Sequence, residues 1–177
     1  NNIKNYNFTI KWGAETSTDD SEGEILFTSK NLPKLEDLEK KIKNYIGYIK
    51  QVPPNVSAVK INGQRAYKLS RNNEKFIIKS KEVYSESLKI TNHKKFETSF
   101  NILCGKGFYI RSLARDLARE LKTFGHISSL ERIKVGKFTK ERSILLDDLL
   151  KIGQRQNYIN CISPSISMLD DILAYEI

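Results

Sequence analysis

Hydrophobic and polar positions alternate at the start of the chain. Tyr6, Phe8, Ile10 and Trp12 are separated by polar residues, so residues 4–12 read as a strand buried on one face. Residues 13–23, GAETSTDDSEG, have no apolar period and read as a polar loop. From Pro33 the period lengthens: Leu35, Leu38, Ile42, Tyr45, Ile46 and Ile49 make a helical stripe, with Gly47 as its stop signal. Pro53 and Pro54 force an extended segment, residues 57–61 are strand-like, and Asn62-Gly63 is a hairpin dipeptide. Short strand patterns follow at 76–78 and 83–90. Phe96, Thr98, Phe100, Ile102 and Cys104 then share one face at period two, until Gly105, Lys106 and Gly107 break the run. Ile110, Leu113, Ala114, Leu117 and Leu121 recur at the spacing of an amphipathic helix, and weaker helical patterns occupy 144–152 and 166–173. In this reading the strands follow one another without crossover helices. The expected fold class is α+β, a mixed, mainly antiparallel sheet with flanking helices.

One charge conflicts with this pattern. Arg111 falls in the first turn of the helix that starts near Ile110, where the free N–H groups already carry partial positive charge. A cation there loses roughly 0.3–1 kcal/mol unless an anion compensates it. Arg111 therefore calls for an anionic partner.

The 177 residues amount to one domain's length, and the net charge of +9 invites a nucleic-acid reading. Lysine is spread through the whole chain, which by itself describes a solvated surface. Arginine is the more selective signal, because its planar fork grips carboxylate or phosphate bidentately. Arg65, Arg71, Arg111, Arg115, Arg119 and Arg132 all lie in the middle of the sequence. Arg115, Arg119 and Lys122 recur opposite the apolar stripe, either as a solvated face or as an RNA-backbone contact. Asp19 and Asp20 read as turn residues and His126 as a helix-end residue. Cys104 and Cys161 have no metal spacing and fit a reducing compartment. The segment around Gly105 and Gly107 lacks the spacing of a Walker phosphate loop, and no apolar run reaches membrane length.

Several longer stretches resemble one family. The run QVPPNVSAVKINGQRAYKLSR resembles the Q-I-P-P-x-Y-S-A-x-K-x-x-G-x-R-x-Y-x-x-A-R signature of the bacterial tRNA pseudouridine-55 synthases. KNYNFTIKWGAETSTDDSEGEI is similar to that family's K-x-Y-x-x-x-x-x-x-G-x-x-T-D-T-x-D-x-x-G segment, and GKGFYIRSLARDLARELKTFGH to its G-T-Y-I-R-(S/T)-L-x-x-D-L-G segment. LERIKVGKF is similar to its L-R-R-x-x-x-G-x-F, and the segments occur in the family's order over residues 4 to about 138.

The resemblance implies a pseudouridine synthase-like catalytic domain that isomerises the T-loop uridine of tRNA without a cofactor. It implies Tyr6, Asp20 and Arg111 as catalytic-site residues. Arg111 would pair with the nucleophilic aspartate within a network shared with Asp20, and Tyr6 would stack on the target base. Tyr109 and Leu130 would line the pocket, and Lys60, Arg65, Tyr67 and Arg132 would contribute to substrate binding. The implied partner is the tRNA T-arm, with no membrane, in a cytoplasmic enzyme that is monomeric at full length.

The departures from the pattern matter as well. The family's nucleophile lies in a G-x-L-D-P-x-A-x-G segment that these residues do not contain, and the first residue is Asn1. The expectation is a partial catalytic domain, inactive alone and able to self-associate through an unpaired sheet edge. Ser17, Val56 and Glu131 stand where the family commonly has aspartate, an aromatic residue and arginine. Residues 1–140 are read as catalytic domain and 141–177 as a helical extension that could begin a PUA region. The alternative is a non-catalytic RNA-binding or RNA-folding module of the same fold. A weaker third reading is a scaffold with no RNA role.

Overall fold

A computed structural model describes residues 3–72 and 74–153. The first strand, β1 (Lys4–Trp12), turns Phe8, Ile10 and Trp12 into the core, as the alternation predicts. Residues 13–23 are not simply a polar loop. Ala14–Thr16 (β2) pairs with Ile25–Thr28 (β3), and Glu15, Thr16 and Asp19 are buried. Glu15 and Asp19 are inside because arginines elsewhere in the chain meet them, and Thr16 because its hydroxyl donates to the Asp20 carbonyl, relations that periodicity cannot register.

The stripe from Leu35 is shorter as a helix than its pattern suggests. Helix α1 (Leu35–Lys41) tightens into a 3-10 turn at Ile42–Tyr45. Gly47 then takes φ +92° and opens strand β4 (Gly47–Gln51). A left-handed φ is cheap only for glycine, so the stop falls there, and Ile49 continues the apolar run as a strand residue opposite Val83. Of residues 57–61 only Lys60–Ile61 (β5) is strand, closed onto Gln64–Arg65 (β6) by Asn62 (φ 48°) and Gly63 (φ 84°) in the left-handed pair of a type I′ turn. The short helix α2 (Ala66–Arg71), absent from the sequence reading, follows and buries Ala66 and Leu69. Residues 76–78 form no strand, whereas the pattern at 83–90 extends into the fourteen-residue β7 (Lys81–Lys94).

Strand β8 (Glu97–Cys104) buries Thr98, Phe100, Ile102 and Cys104, while Phe96 lies outside the strand and is exposed. After the glycine break, helix α3 (Ile110–Glu120) buries Ile110, Leu113, Ala114, Leu117 and Ala118. The chain returns as β9 (Gly125–Val135) and β10 (Phe138–Thr139), and α4 (Leu146–Gly153) matches the weak pattern at 144–152. His126 is thereby a buried strand residue, not a helix end; its Nδ1 lies 2.8 Å from the Ala14 carbonyl oxygen. The helical pattern at 166–173 falls outside the described residues.

Among the described residues, six strands form the main sheet in the order β10-β9-β1-β8-β7-β4, every neighbouring pair antiparallel. The fold is therefore α+β with a mainly antiparallel sheet. The expectation of no crossover helix is corrected, however. β8 and β9 flank β1 and both run antiparallel to it, so they are parallel to each other and α3 is the crossover between them. This crossover lays α3 across the apolar face of β1 and β9, with Phe8 stacked on Phe100 at 5.1 Å in one core with Leu113 and Leu117. The opposite face is polar: Asn101 Nδ2 donates to Asn5 Oδ1 (2.8 Å) and Asn7 Oδ1 (2.7 Å).

Candidate active site

Helix α3 has two lateral faces. Its apolar face enters the core, and Arg111, Arg115 and Arg119, spaced four residues apart, line another side. The acidic residues of the 14–20 segment meet them in reverse order. Arg111 Nη1 is 3.1 Å from Asp20 Oδ2, Arg115 Nη1 is 3.2 Å from Asp19 Oδ2, and the Arg119 guanidinium grips Glu15 Oε1 and Oε2 at 2.6 and 3.1 Å. Arg115 is thus turned inward, whereas Arg119 stays exposed while its guanidinium reaches the buried Glu15. The reading of Arg115 as a solvated face or RNA-backbone contact is corrected, because the buried Asp19 carboxylate needs this cation; Arg119 and Lys122 are exposed. The sequence held a signal of the pairing: basic residues at i, i+4 and i+8 facing a stretch with acids four apart.

Arg111 answers its misplaced charge with Asp20 and with main-chain oxygens. Nη1 also donates to the Thr18 carbonyl (2.9 Å) and Nη2 to the Val56 carbonyl (2.9 Å). Three of the five guanidinium hydrogens are so engaged. The other two donors have no partner among the described residues, and two is the number a bidentate carboxylate contact requires. Asp20 is held in turn by Thr18 Oγ1 (2.5 Å) and the Glu22 N–H (3.1 Å), both donating to Oδ1. Asp20 and Arg111 are each 24% exposed, so the pair is reachable from solvent. It forms one wall of a cleft of roughly 190 Å³ whose other wall is Ile127, Ser129 and Leu130.

The segment Gln51–Val56 positions the start of α3. The buried Gln51 amide donates to the Tyr109 carbonyl (3.0 Å) and accepts from the Tyr109 N–H (2.8 Å). The Val52 carbonyl accepts from Ser112 Oγ (2.7 Å) and Arg115 Nη2 (2.9 Å). Pro53 and Pro54 are fully buried and have no N–H to satisfy, which keeps this stretch extended with its carbonyls turned to the helix. Gln51 and Glu15 are site-building residues that sequence reasoning did not single out, and Asp19 is one that it read only as a turn residue.

The remaining sequence candidates fall into two groups. Direct pairing sets Tyr6 opposite Arg132 and Phe8 opposite Leu130, so Tyr6, Leu130 and Arg132 share the α3-covered face of the sheet with the core residue Phe8. Leu130 lines the cleft; Tyr6, half-buried, and Arg132, exposed, lie beside it on the sheet. Tyr109 is the residue preceding α3, held by Gln51. Lys60, Arg65 and Tyr67 sit apart, on the β5–β6 hairpin and α2, tied to the site through the chain that reaches Val56. Glu131, where the family pattern has arginine, pairs with Lys140. Burial raises the Asp19 carboxyl to about 6 despite the opposing pull of Arg115. Burial likewise pushes the Cys104 thiol up to about 12, leaving it inert at neutral pH. Among the described residues no group of three or more His, Cys, Asp and Glu side chains is arranged to hold a metal.

Comparison with known proteins bears on this geometry. Residues 1–110 match the family model described as TruB family pseudouridylate synthase (N terminal domain), and residues 111–173 match tRNA pseudouridylate synthase B C-terminal domain. The two matches meet at the first turn of α3, between strands β8 and β9 of one sheet. A tRNA pseudouridine synthase B of Ehrlichia chaffeensis is 40% identical over 172 residues, covering 96% of this chain and 58% of its own length. Its namesake from Brucella anthropi is 48% identical over 147 residues, covering 82% and 45%, and that of Wolbachia pipientis 46% over 151 residues, covering 84% and 43%. The chain spans about half the length of the curated relatives it matches. In fold it is similar to a chain of a Cbf5-Nop10-Gar1 complex (TM-score 0.67, 19% identity, 95% of this chain and 43% of that one). A chain of an H/ACA RNP bound to a substrate RNA containing 2'-deoxyuridine gives TM-score 0.62 at 15% identity, covering 95% and 42%.

Proposed function

The chain belongs to the TruB family of pseudouridylate synthases, and on that premise we propose that the whole protein isomerises the T-loop uridine of tRNA to pseudouridine. The observation that carries the reading is the Arg111–Asp20 pair on the cleft wall, with two guanidinium donors left for a second carboxylate. The reaction breaks the bond between uracil N1 and ribose C1′, joins C1′ to C5, and moves a proton from C5 to solvent while N1 takes one up, so that composition is unchanged. It needs a nucleophilic carboxylate but no cofactor and no change of oxidation state. The family resemblance assigns that carboxylate to a G-x-L-D-P-x-A-x-G segment, which the 177 residues do not contain. The proposal is accordingly for the protein that carries that segment, and these residues alone are inactive.

The chain's own side chains prepare the site. Desolvation in a base-filled cleft would raise the nucleophile's pKa and neutralise it, and Arg111 offsets this by favouring the charged form. Asp20, Thr18 and Val56 fix the guanidinium so that it does not reorganise when the substrate enters. Tyr6 takes the face of the extruded base, at roughly 1–3 kcal/mol per stacked base. Leu130 and Tyr109 bound the pocket, and Lys60, Arg65, Tyr67 and Arg132 contact the T-arm. Residues 1–140 serve as catalytic domain and 141–177 as a helical extension, in a monomeric cytoplasmic enzyme. Among the described residues no helix is long and apolar enough to cross a membrane.

The test is tritium release from T-arm stem-loop RNA labelled at uracil C5, using these 177 residues and the polypeptide extended to its natural start. Release by the extended form alone is expected. RNA binding by both forms with release by neither would overturn the catalytic reading in favour of a binding module.

A further inference from the structure

The pair Arg115–Asp19 lies one helical turn from Arg111 and is more deeply buried than the Arg111–Asp20 pair, its side chains 11% and 10% exposed. Asp19 immediately precedes Asp20 and adopts φ 61°, a strained conformation for a residue other than glycine. Both ends of Asp19 are held. Its side chain accepts from Arg115 Nη1 (3.2 Å), and its carbonyl accepts from the Ile127 N–H of β9 (3.0 Å). Arg115 is fixed in turn by Asp116 Oδ1 (2.9 Å) and the Val52 carbonyl (2.9 Å), and so links the 17–23 turn to the Gln51–Val56 segment. The same two segments supply every acceptor on Arg111: Thr18 and Asp20 from one, Val56 from the other.

We propose that Arg115 and Asp19 are positioning residues that lock these two segments onto α3 and so set the distance and orientation of Asp20 and Arg111. An arginine so engaged is not a phosphate contact. A left-handed aspartate without its tether relaxes toward the right-handed or extended region, and the turn that follows it moves. Because Asp20 is the next residue, a shift of about 1 Å there separates it from Arg111, a displacement that costs on the order of 100-fold in a positioned site. Arg119–Glu15, the third of these ion pairs, anchors β2 and lies two helical turns from Arg111.

The inference rests on the site reading above, and the experiment separates their failures. In the protein expressed from its natural start, R115Q, R115K, D19N and the D19N/R115Q double variant are compared with wild type at pH 7.5. Turnover and stem-loop RNA affinity across a salt series are measured for each. Alongside, the Arg111 Nη signals are followed in arginine-15N-labelled protein without RNA, where slow guanidinium rotation reports a held side chain. The expected result is turnover down about 10- to 100-fold with RNA affinity and salt slope unchanged, partial rescue in R115K, and a double variant no worse than the worse single. The Arg111 Nη signals then broaden in R115Q and D19N. If R115Q instead weakens RNA binding and lowers the salt slope by about one while D19N does nothing, Arg115 contacts phosphate and the proposal is wrong. Unchanged turnover and unchanged Arg111 signals in variants with lowered thermal stability make the pair merely structural and also overturn it. If wild type itself shows no turnover, the functional reading fails, and the Arg111 signals alone decide whether the pair positions that side chain.

Discussion

Asp19 shows how much a single residue's setting departs from its identity. As one of two adjacent aspartates in a polar stretch it reads as a turn residue, and it is indeed in a turn, but 7% exposed and facing Arg115. Burial holds its carboxyl protonated up to about pH 6, whereas the unfolded chain releases that proton near the ordinary value of 3.8. Between these values the native state binds more protons than the unfolded state, so stability falls as pH rises. The contribution is whole below about pH 4 and is lost as pH climbs through about 6. Urea midpoints of wild type and D19N, compared from pH 4 to 7.5, should therefore show wild type losing ground to the variant as pH increases. A constant difference across that range would mean that Arg115 keeps Asp19 ionised throughout. Arg111 is the opposite case, since its place in a first helical turn was enough to demand an anion, and Asp20 provides one.

At the scale of elements, the turn of residues 17–23 is the part that brings Asp20 to α3. Its closing residue, Gly23, has no spare room. A Cβ built there would lie 2.5 Å from Thr18 Oγ1 and 2.7 Å from the Thr18 backbone nitrogen. The backbone cannot give way without moving Thr18, whose hydroxyl holds Asp20 and whose carbonyl holds Arg111. In the full-length protein Gly23→Ala should lower turnover by about 10-fold or more while RNA affinity stays near wild type. Tritium release paired with a binding isotherm checks this, and wild-type turnover in the variant would show that the turn is not needed in this form. Periodicity located β1, β8 and α3, because each buries one face continuously, and it also located α4, whose leucines are exposed. It overran α1, missed α2 and did not resolve β9, whose solvent-exposed stretch Ser128–Arg132 has no alternating apolar side.

Over the whole molecule, the sheet ends in β4 on one side and the two-residue β10 on the other. Among the described residues, exposed apolar side chains include Ile25, Leu26 and Phe27 on β3 and Leu145, Leu146 and Leu150 at α4. Open edges and apolar patches of this kind promote association. Light scattering on these 177 residues should show mean mass rising between roughly 10 and 100 µM. The combined Leu26→Lys and Leu150→Lys variant should reduce that rise. A constant monomer mass for the unsubstituted chain would remove the prediction.

By itself the sequence determined the fold class, the amphipathic elements of the core, the family, and the need of Arg111 for a negative partner. Those follow from local rules: period, turn chemistry, helix-end electrostatics and motif order. Tertiary structure decided the order of strands, with α3 crossing from β8 to β9 over β1, and decided which acid meets which arginine. It also decided that Arg115 turns inward, that Arg119 pairs with the buried Glu15, that Gln51 clamps Tyr109, and that Tyr6, Leu130 and Arg132 share one face. The reason is physical. Ion pairs between residues about ninety to a hundred positions apart leave no local trace in the chain, and a buried carboxylate differs from an exposed one only in what folds against it.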